Sequence, residues 1–378
     1  MKKWIRKVGC LCMCIILICG TAGCKKSESK ATSQKSMGRF VEQEIMFPSD
    51  LVAYNLSLIK NAEGKLEAYG YNQAASALVG YVYENGEWEK KEASWLSKLS
   101  LETEYMKRIF LGKDGCYYAL MMESDENGRT KLYKSLDESE AVLVPIKAFE
   151  QEKKYMEGLV MCPDIWDIQV AEDGSLIVSD SLEDYLDIYD ASSFEPAGEI
   201  EAGMPFCVDN DHVYAGNQSG DAILTYGIKD NKQTEENIDF SIDSAVIARQ
   251  EDTTYLACKD GIFRKEDAGS MWQNIVDGNL TSLATPNNTL SQLAVAGNGD
   301  LYVMANDGQL VSHLFRYYYD ETVASVPSQE LTIYSLLESP TIRQAISKFQ
   351  KENPDVRVNY LAAMGGGWTV IWQMSYVH

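Results

Sequence analysis

Six times between residues 62 and 306 the chain repeats one phrase: a polar turn holding Gly, Asp or Asn, then a strand of alternating character rich in Tyr, Val and Leu. The instances are Ala62-Glu63-Gly64-Lys65 before LEAYGY, Asp114-Gly115 before CYYALMM, and Asp173-Gly174 before SLIVSD. Asp209-Asn210-Asp211 before HVYAG, Glu251-Asp252 before TTYLACK, and Gly297-Asn298-Gly299 before DLYVMAN complete the set. The strands start near residues 65, 116, 175, 212, 253 and 300, a mean spacing of 47. Further short strands and hairpin turns lie between them, as in AILTYGI-KDNK and GIFRKE-DAGS-MWQNIV. Four short strands in a repeat of this length predict a β-propeller blade. The chain is therefore mostly β. Residues 41–326 predict six blades, or seven if one is divided between the two ends. A pair of large β-sandwiches is the alternative, but even spacing over this length favours the propeller. Helix-period apolar patterns are nearly absent from this region, apart from a weak candidate over Ser94 to Phe110.

One local motif fits that fold. Asp267-Ala268-Gly269-Ser270-Met271-Trp272 resembles the D-x-G-x-x-W core of the Asp box, a hairpin motif of sialidase-like and related propellers. Lys265 stands where that motif has Ser or Thr. The resemblance implies a folding device: Asp267 ties a tight turn around Gly269, Trp272 packs between strands, and no chemistry is carried.

The N-terminus has a different character. Lys2, Lys3, Arg6 and Lys7 precede an apolar stretch from Val8 to Gly20, followed by Thr21-Ala22-Gly23 and Cys24. This is the order of an export signal. The apolar stretch is shorter than the ~20 residues that a spanning helix needs. The small residues before Cys24 resemble a bacterial lipobox, with Thr21 where Leu, Ile or Val is usual. That resemblance implies cleavage between Gly23 and Cys24 and acylation of Cys24, which would hold the chain on the outer face of the cell membrane. Ordinary signal cleavage with a free Cys24 is the alternative. Residues 24–40, rich in Lys and Ser after the cysteine, predict a flexible tether.

The whole chain has 34 basic and 56 acidic residues, a net charge of −22, which becomes about −26 once the four signal cations are removed. Such a charge argues against nucleic acid as a partner. Of nine cysteines, only Cys116, Cys162, Cys207 and Cys258 remain after Cys24, with no C-x-x-C among them. Small buried hydrophobes are the simplest reading, with one or two disulfides as the alternative in an exported chain. Three histidines without metal-ligand spacing predict no zinc site, and no other cofactor is predicted.

Beyond the linker at 327–330 the pattern changes. Leu331 to Leu336 predicts a strand, Ser339-Pro340 a helix start, Thr341 to Glu352 an amphipathic helix, and Val356 to Leu361 a second strand. The segment LTIYSLLESPTIRQAISKFQKENPDVRVNY resembles the opening of an extracellular solute-binding protein of carbohydrate-type ABC importers. Phe349, Lys351, Pro354, Asp355, Val356, Val358 and Tyr360 fill that family's positions. The layout also resembles lipoproteins of Gram-positive bacteria that place a propeller between lipidated cysteine and binding domain. The resemblance implies a two-lobed domain, a carbohydrate ligand and an ABC permease as partner. Residues 327–378 hold only the start of such a domain, and after Leu361 the chain reads AAMGGGWTVIWQMSYVH, with no acid and no Lys or Arg. The expectation is that the reading frame is lost or the gene is cut near Gly365, leaving transport incomplete. The unpartnered βαβ unit should then be poorly ordered or packed against the propeller.

Catalytic signatures are sparse. Glu123-x-Asp125-x-Asn127-Gly128 opens like a calcium loop, but Lys134 occupies the position that needs an acid, so a hairpin turn is predicted. Glu183, Asp184 and Asp187 form an acidic run that predicts a solvated loop. Trp88, Trp95 and Trp166 could stack on a sugar, although strand packing is the simpler reading. No arginine trio, nucleophile elbow or phosphate loop is present. The sequence predicts a non-catalytic surface binding lipoprotein. A propeller enzyme acting on glycans or polyphenols, and a propeller that docks a partner protein, are the alternatives.

Overall fold

The computed structural model describes residues 37–364, except 126, 127, 268, 270, 286 and 338. Gly23 and Cys24 lie outside the described residues, as do the signal and most of the tether. Six four-stranded antiparallel sheets follow one another along the chain. Blade I is β2 (Ser57–Lys60), β3 (Leu66–Asn72), β4 (Ala77–Glu84) and β5 (Glu87–Lys91). Blade II is β6 (Glu104–Leu111), β7 (Tyr117–Glu123), β8 (Thr130–Ser135) and β9 (Ala141–Leu143). A separate hairpin, β10 (Lys153–Met156) and β11 (Leu159–Met161), precedes blade III: β12 (Ile165–Val170), β13 (Leu176–Asp180), β14 (Leu186–Tyr189) and β15 (Pro196–Ile200). Blade IV is β16 (Gly203–Asp209), β17 (His212–Gly216), β18 (Ala222–Gly227) and β19 (Gln233–Asn237). Blade V is β20 (Val246–Gln250), β21 (Thr253–Cys258), β22 (Gly261–Glu266) and β23 (Gln273–Asp277).

Blade VI joins the two ends of the ring. Its β24 (Thr289–Val295), β25 (Leu301–Asn306) and β26 (Ser312–Ala324) are completed by β1 (Met37–Ile45), which pairs antiparallel with β26 from Ile45↔Leu314 to Met37↔Ala324. The ring thus has six blades, not seven, and the divided blade is the sixth. Strand structure also starts at Met37 rather than 41, so MGRF belongs to the ladder and not to the tether. The expected helix over 94–110 is a 3-10 turn, Ser94–Lys98, followed by β6. Its apolar residues have inter-blade work instead, with Trp95, Leu96 and Ile109 buried in one cluster.

The repeated phrase is the second strand of every blade, and the turn before it closes the first hairpin. Each of these turns holds a residue in the left-handed region: Gly64, Gly115, Gly174 and Gly299 at φ 79–90°, Asn210 and Glu251 at φ 52°. Glycine enters that region freely and Asn tolerates it, but Glu251 crowds its Cβ against the backbone. Six apolar clusters fill the gaps between consecutive blades, each drawn from two neighbouring sheets. Phe110, Leu120 and Leu132 of blade II, for example, meet Ile165, Ile168 and Val178 of blade III. Cys116, Cys162, Cys207 and Cys258 are all free.

The first strand of a blade has an unpaired edge toward the ring axis, and side chains from neighbouring blades serve it. Gln292 of β24 accepts from Leu58 N (2.7 Å) and donates to Leu56 O (3.2 Å) beside it. Gln169 of β12 does the same for Val208 N and Phe206 O of β16, both at 2.9 Å. Ser57 Oγ accepts from Ile109 N at 2.8 Å, and Arg108 pairs with Asp167. The glutamine and serine contacts satisfy backbone groups that would otherwise face the crowded axis unpaired.

The C-terminal unit is the predicted βαβ arrangement. β27 (Gln329–Leu337) and β28 (Val356–Met364) run parallel, joined by α1 (Pro340–Glu352), whose N-terminus is capped by Ser339 Oγ accepting from Ile342 N. The unit packs on blades V and VI. Glu42 of β1, its side chain 2% exposed, accepts from Ser282 N (2.6 Å), Ser282 Oγ (2.8 Å) and Tyr317 OH (2.9 Å), and pairs with Lys351 of α1 at 2.7 Å. Gln350 donates to Asn279 O and Arg357 pairs with Asp277 (3.1 Å).

Two stability predictions follow from these positions. Glu42→Ala removes the buried carboxylate that Ser282, Tyr317 and the partly exposed Lys351 share, and should lower unfolding free energy by about 2–3 kcal/mol. Glu251→Asn relieves a strained turn and should raise it by up to about 1 kcal/mol. Urea denaturation of both variants measures the two changes.

Candidate functional site at the channel mouth

The first strands of all six blades begin at one end of the ring, which also carries the connections between blades. Four of those strands are irregular near their starts. The pairing of β6 with β7 skips Lys107, that of β12 with β13 skips Trp166, that of β16 with β17 skips Met204 and Pro205, and that of β24 with β25 skips Ser291. A bulge turns the extra residue out of the alternation and re-aims its side chain. In β12, Ile165 and Asp167 are buried on either side while Trp166 is 60% exposed.

The three tryptophans therefore part company. Trp95 is buried, and Trp88 packs against Tyr83 and Phe47 with ring centroids 4.9 and 5.9 Å away. The expectation of strand packing holds for those two and fails for Trp166, because the bulge removes it from the inter-blade face. Polar groups surround its strand. Lys107 Nζ donates to Ile165 O (2.6 Å) and pairs with Asp164 (2.9 Å), whose other oxygen accepts from Ser181 Oγ (2.8 Å). Burial alone would raise the Asp164 carboxyl, but Lys107 and Ser181 hold it below the usual carboxylate range. Leu182 and Met204 are exposed as well. The sequence offered no sign of Lys107, Met204 or Ser291, since a bulge leaves no regular trace in residue spacing.

The acidic run at 183–187 is only in part the solvated loop expected from its composition: Asp184 is exposed, but Glu183 and Asp187 are half-buried. The β10–β11 hairpin folds over it: Lys153 pairs with Glu183 (2.5 Å) and bonds to Tyr185 OH (2.9 Å), and Tyr155 OH donates to Asp180. Glu183 is only 10% exposed. Asp187 is pushed up to about 6, chiefly by burial, against the pull of Lys153 and with the help of the Glu183, Glu199 and Asp180 charges. Asp180 is also raised by burial. Sequence composition registers the charges but not the hairpin that covers them.

The Asp-box-like residues sit away from this mouth, after β22. Asp267 accepts a two-armed contact from Arg249, at 2.9 and 2.7 Å, while Gly269 N bonds to Asp267 O. Trp272 meets Phe240 edge-on at 5.7 Å, and Phe240 stacks on Phe263 at 3.8 Å. Among the described residues no cluster of His, Cys, Asp and Glu could hold a metal ion.

No protein-family model matches the chain, and no curated protein does either. Solved structures do. A protein of unknown function from Dyadobacter fermentans is 12% identical with a TM-score of 0.46, covering 75% of this chain and 99% of its own. Virginiamycin B lyase from Staphylococcus aureus with quinupristin is 12% identical with a TM-score of 0.41, covering 77% and 91%. YCF48 from Cyanidioschyzon merolae is 11% identical with a TM-score of 0.43, covering 73% and 98%. Likeness of this size concerns chain architecture alone.

The Asp187 environment has a consequence for pH. A carboxyl whose folded value lies above its unfolded one favours the protonated folded state, so its contribution is present below about 4 and is lost as pH rises through 6. Asp187→Asn should flatten that slope and stabilise the protein at pH 7 by roughly 1 kcal/mol, after allowance for solvent screening. Thermal unfolding of both proteins between pH 4 and 7 reads the difference.

Proposed function

We propose that the chain is a membrane-tethered, non-catalytic binding protein of the extracellular solute-binding lipoprotein kind, tethered through lipid on Cys24. In this reading the propeller binds ligand at the channel mouth and carries the start of a solute-binding domain. The observation that supports it best is Trp166: an indole aimed into solvent by a bulge, beside an ion pair that can hydrogen-bond hydroxyl groups. An exposed aromatic face with polar neighbours suits a sugar ring. The βαβ unit agrees with the sequence resemblance, and a carbohydrate ligand handed to an ABC permease remains the transport role that the resemblance implies. Among the described residues no helix is long and apolar enough to cross a bilayer.

A second reading, a protein-docking propeller, is favoured by the exposed Met156, Val160 and Met161 of the hairpin together with Leu182 and Met204.

Quenching of tryptophan fluorescence by oligosaccharides should be saturable in the native protein and at least tenfold weaker in Trp166→Ala. Hydrolysis of any glycan would overturn the non-catalytic reading, and saturable binding of a protein but of no glycan would favour the second one. Cys24→Ser should move the protein from the membrane fraction to the medium, read by fractionation and immunoblot.

A further inference from the structure

A cavity of about 600 Å³ lies between α1 and blade VI, lined by none of the residues named at the channel mouth. Its size falls within the range of ligand pockets, roughly 300–1,000 Å³. Its two walls carry opposite charge. The blade wall presents Glu44 and Asp307, held on either side of the His313 ring: Nδ1 lies 3.0 Å from Glu44 Oε1 and Nε2 lies 3.5 Å from Asp307 Oδ2. The His313 ring lies parallel to Phe315 behind it, at an interplanar angle of 8°. Asp307 is further fixed by Gln309 N (2.8 Å) and Val311 N (2.9 Å), so its carboxylate cannot swing away. The helix wall is one face of α1, with Gln344 and Lys348 lining the cavity four residues apart. Lys351, one turn on, is already committed to Glu42 and lies over the Phe315 ring, whereas Lys348 is exposed.

An acidic wall facing a basic one selects by charge. A simple anion meets Glu44, Asp307 and a chain of net charge −22, and a simple cation meets Lys348. A neutral polyol leaves both walls with their own hydration as its only competitor. A molecule with an ammonium at one end and a carboxylate at the other satisfies both, through charge-assisted hydrogen bonds. We propose that this cleft binds a zwitterion of short-peptide size, its amino terminus toward Glu44 and Asp307 and its carboxylate toward Lys348. Because the propeller supplies one wall and α1 the other, the bound peptide would also brace the C-terminal unit against blade VI.

The test uses the full chain in detergent and isothermal titration with trialanine, N-acetyl-trialanine, trialanine amide and the doubly blocked peptide, with maltotriose alongside. Trialanine should bind, and blocking either end should weaken it about tenfold or more. Lys348→Ala should weaken trialanine by a similar factor and leave trialanine amide unchanged; Glu44→Gln should weaken trialanine and leave N-acetyl-trialanine unchanged. Absence of trialanine binding, equal binding of the doubly blocked peptide, or indifference to both substitutions would overturn the proposal. Trp166→Ala separates it from the channel-mouth reading: loss of maltotriose binding alone leaves the cleft standing, and loss of trialanine binding there in place of Lys348→Ala sinks the cleft alone.

Discussion

Everything in this molecule depends on β1 finding β26. A ring of blades held by side-to-side packing has no internal stop, and until the last sheet is completed β26 keeps thirteen residues of ladder edge open to water and to other chains. The N-terminal strand closes it, so residues nearly 280 apart in sequence are paired, as with Phe40 and Tyr319. Glu42 adds a second lock at the same seam. It joins blade VI, the 3-10 turns after blade V and α1 through one buried carboxylate, every oxygen of which is engaged. Such a group is costly to desolvate and is stable only while all its partners are present. The seam therefore closes fully or hardly at all.

The same accounting explains the ring axis. Six first strands converge there, each with an edge that cannot pair with a seventh sheet. Gln169 and Gln292, three blades apart, solve the problem alike, each lending an amide's donor and acceptor to the neighbouring strand. A glutamine is suited because its amide matches a peptide group and carries no charge to bury. Between the blades the cohesion is apolar; along the axis it is polar and specific.

Much of this was legible in the residues. The six turn-and-strand phrases mark the second strand of each blade because a tight hairpin needs a residue at positive φ, and Gly and Asn announce it. Ser339, Pro340 and the spacing of Ile342, Ile346 and Phe349 announce α1 for equally local reasons. Long-range features left no such trace. MGRF looks like tether because an edge strand needs little apolar content of its own, and its partner lies at the far end of the chain. Glu183 and Asp187 look solvated because nothing nearby in sequence reveals that Lys153 and Tyr155 will cover them. Trp166 looks like any strand tryptophan, since the bulge that turns it outward is visible only once Asp180 and Ser179 take their partners on β12.

The direction of β1 has a mechanical side. Met37 pairs with Ala324, so the chain enters and leaves the outermost ladder at the same corner. A pull between the segments flanking that corner would not load the ladder's hydrogen bonds together, as sliding two strands lengthwise does. It would open them one pair at a time, from Met37 inward toward Ile45, like a zip. Glu42 lies midway along that path and is the first point at which peeling must also break the contacts of a buried carboxylate, its ion pair with Lys351 among them. Tension would thus fray the first few residues at low force and then meet a distinct step, giving the joint between the two ends a built-in yield point.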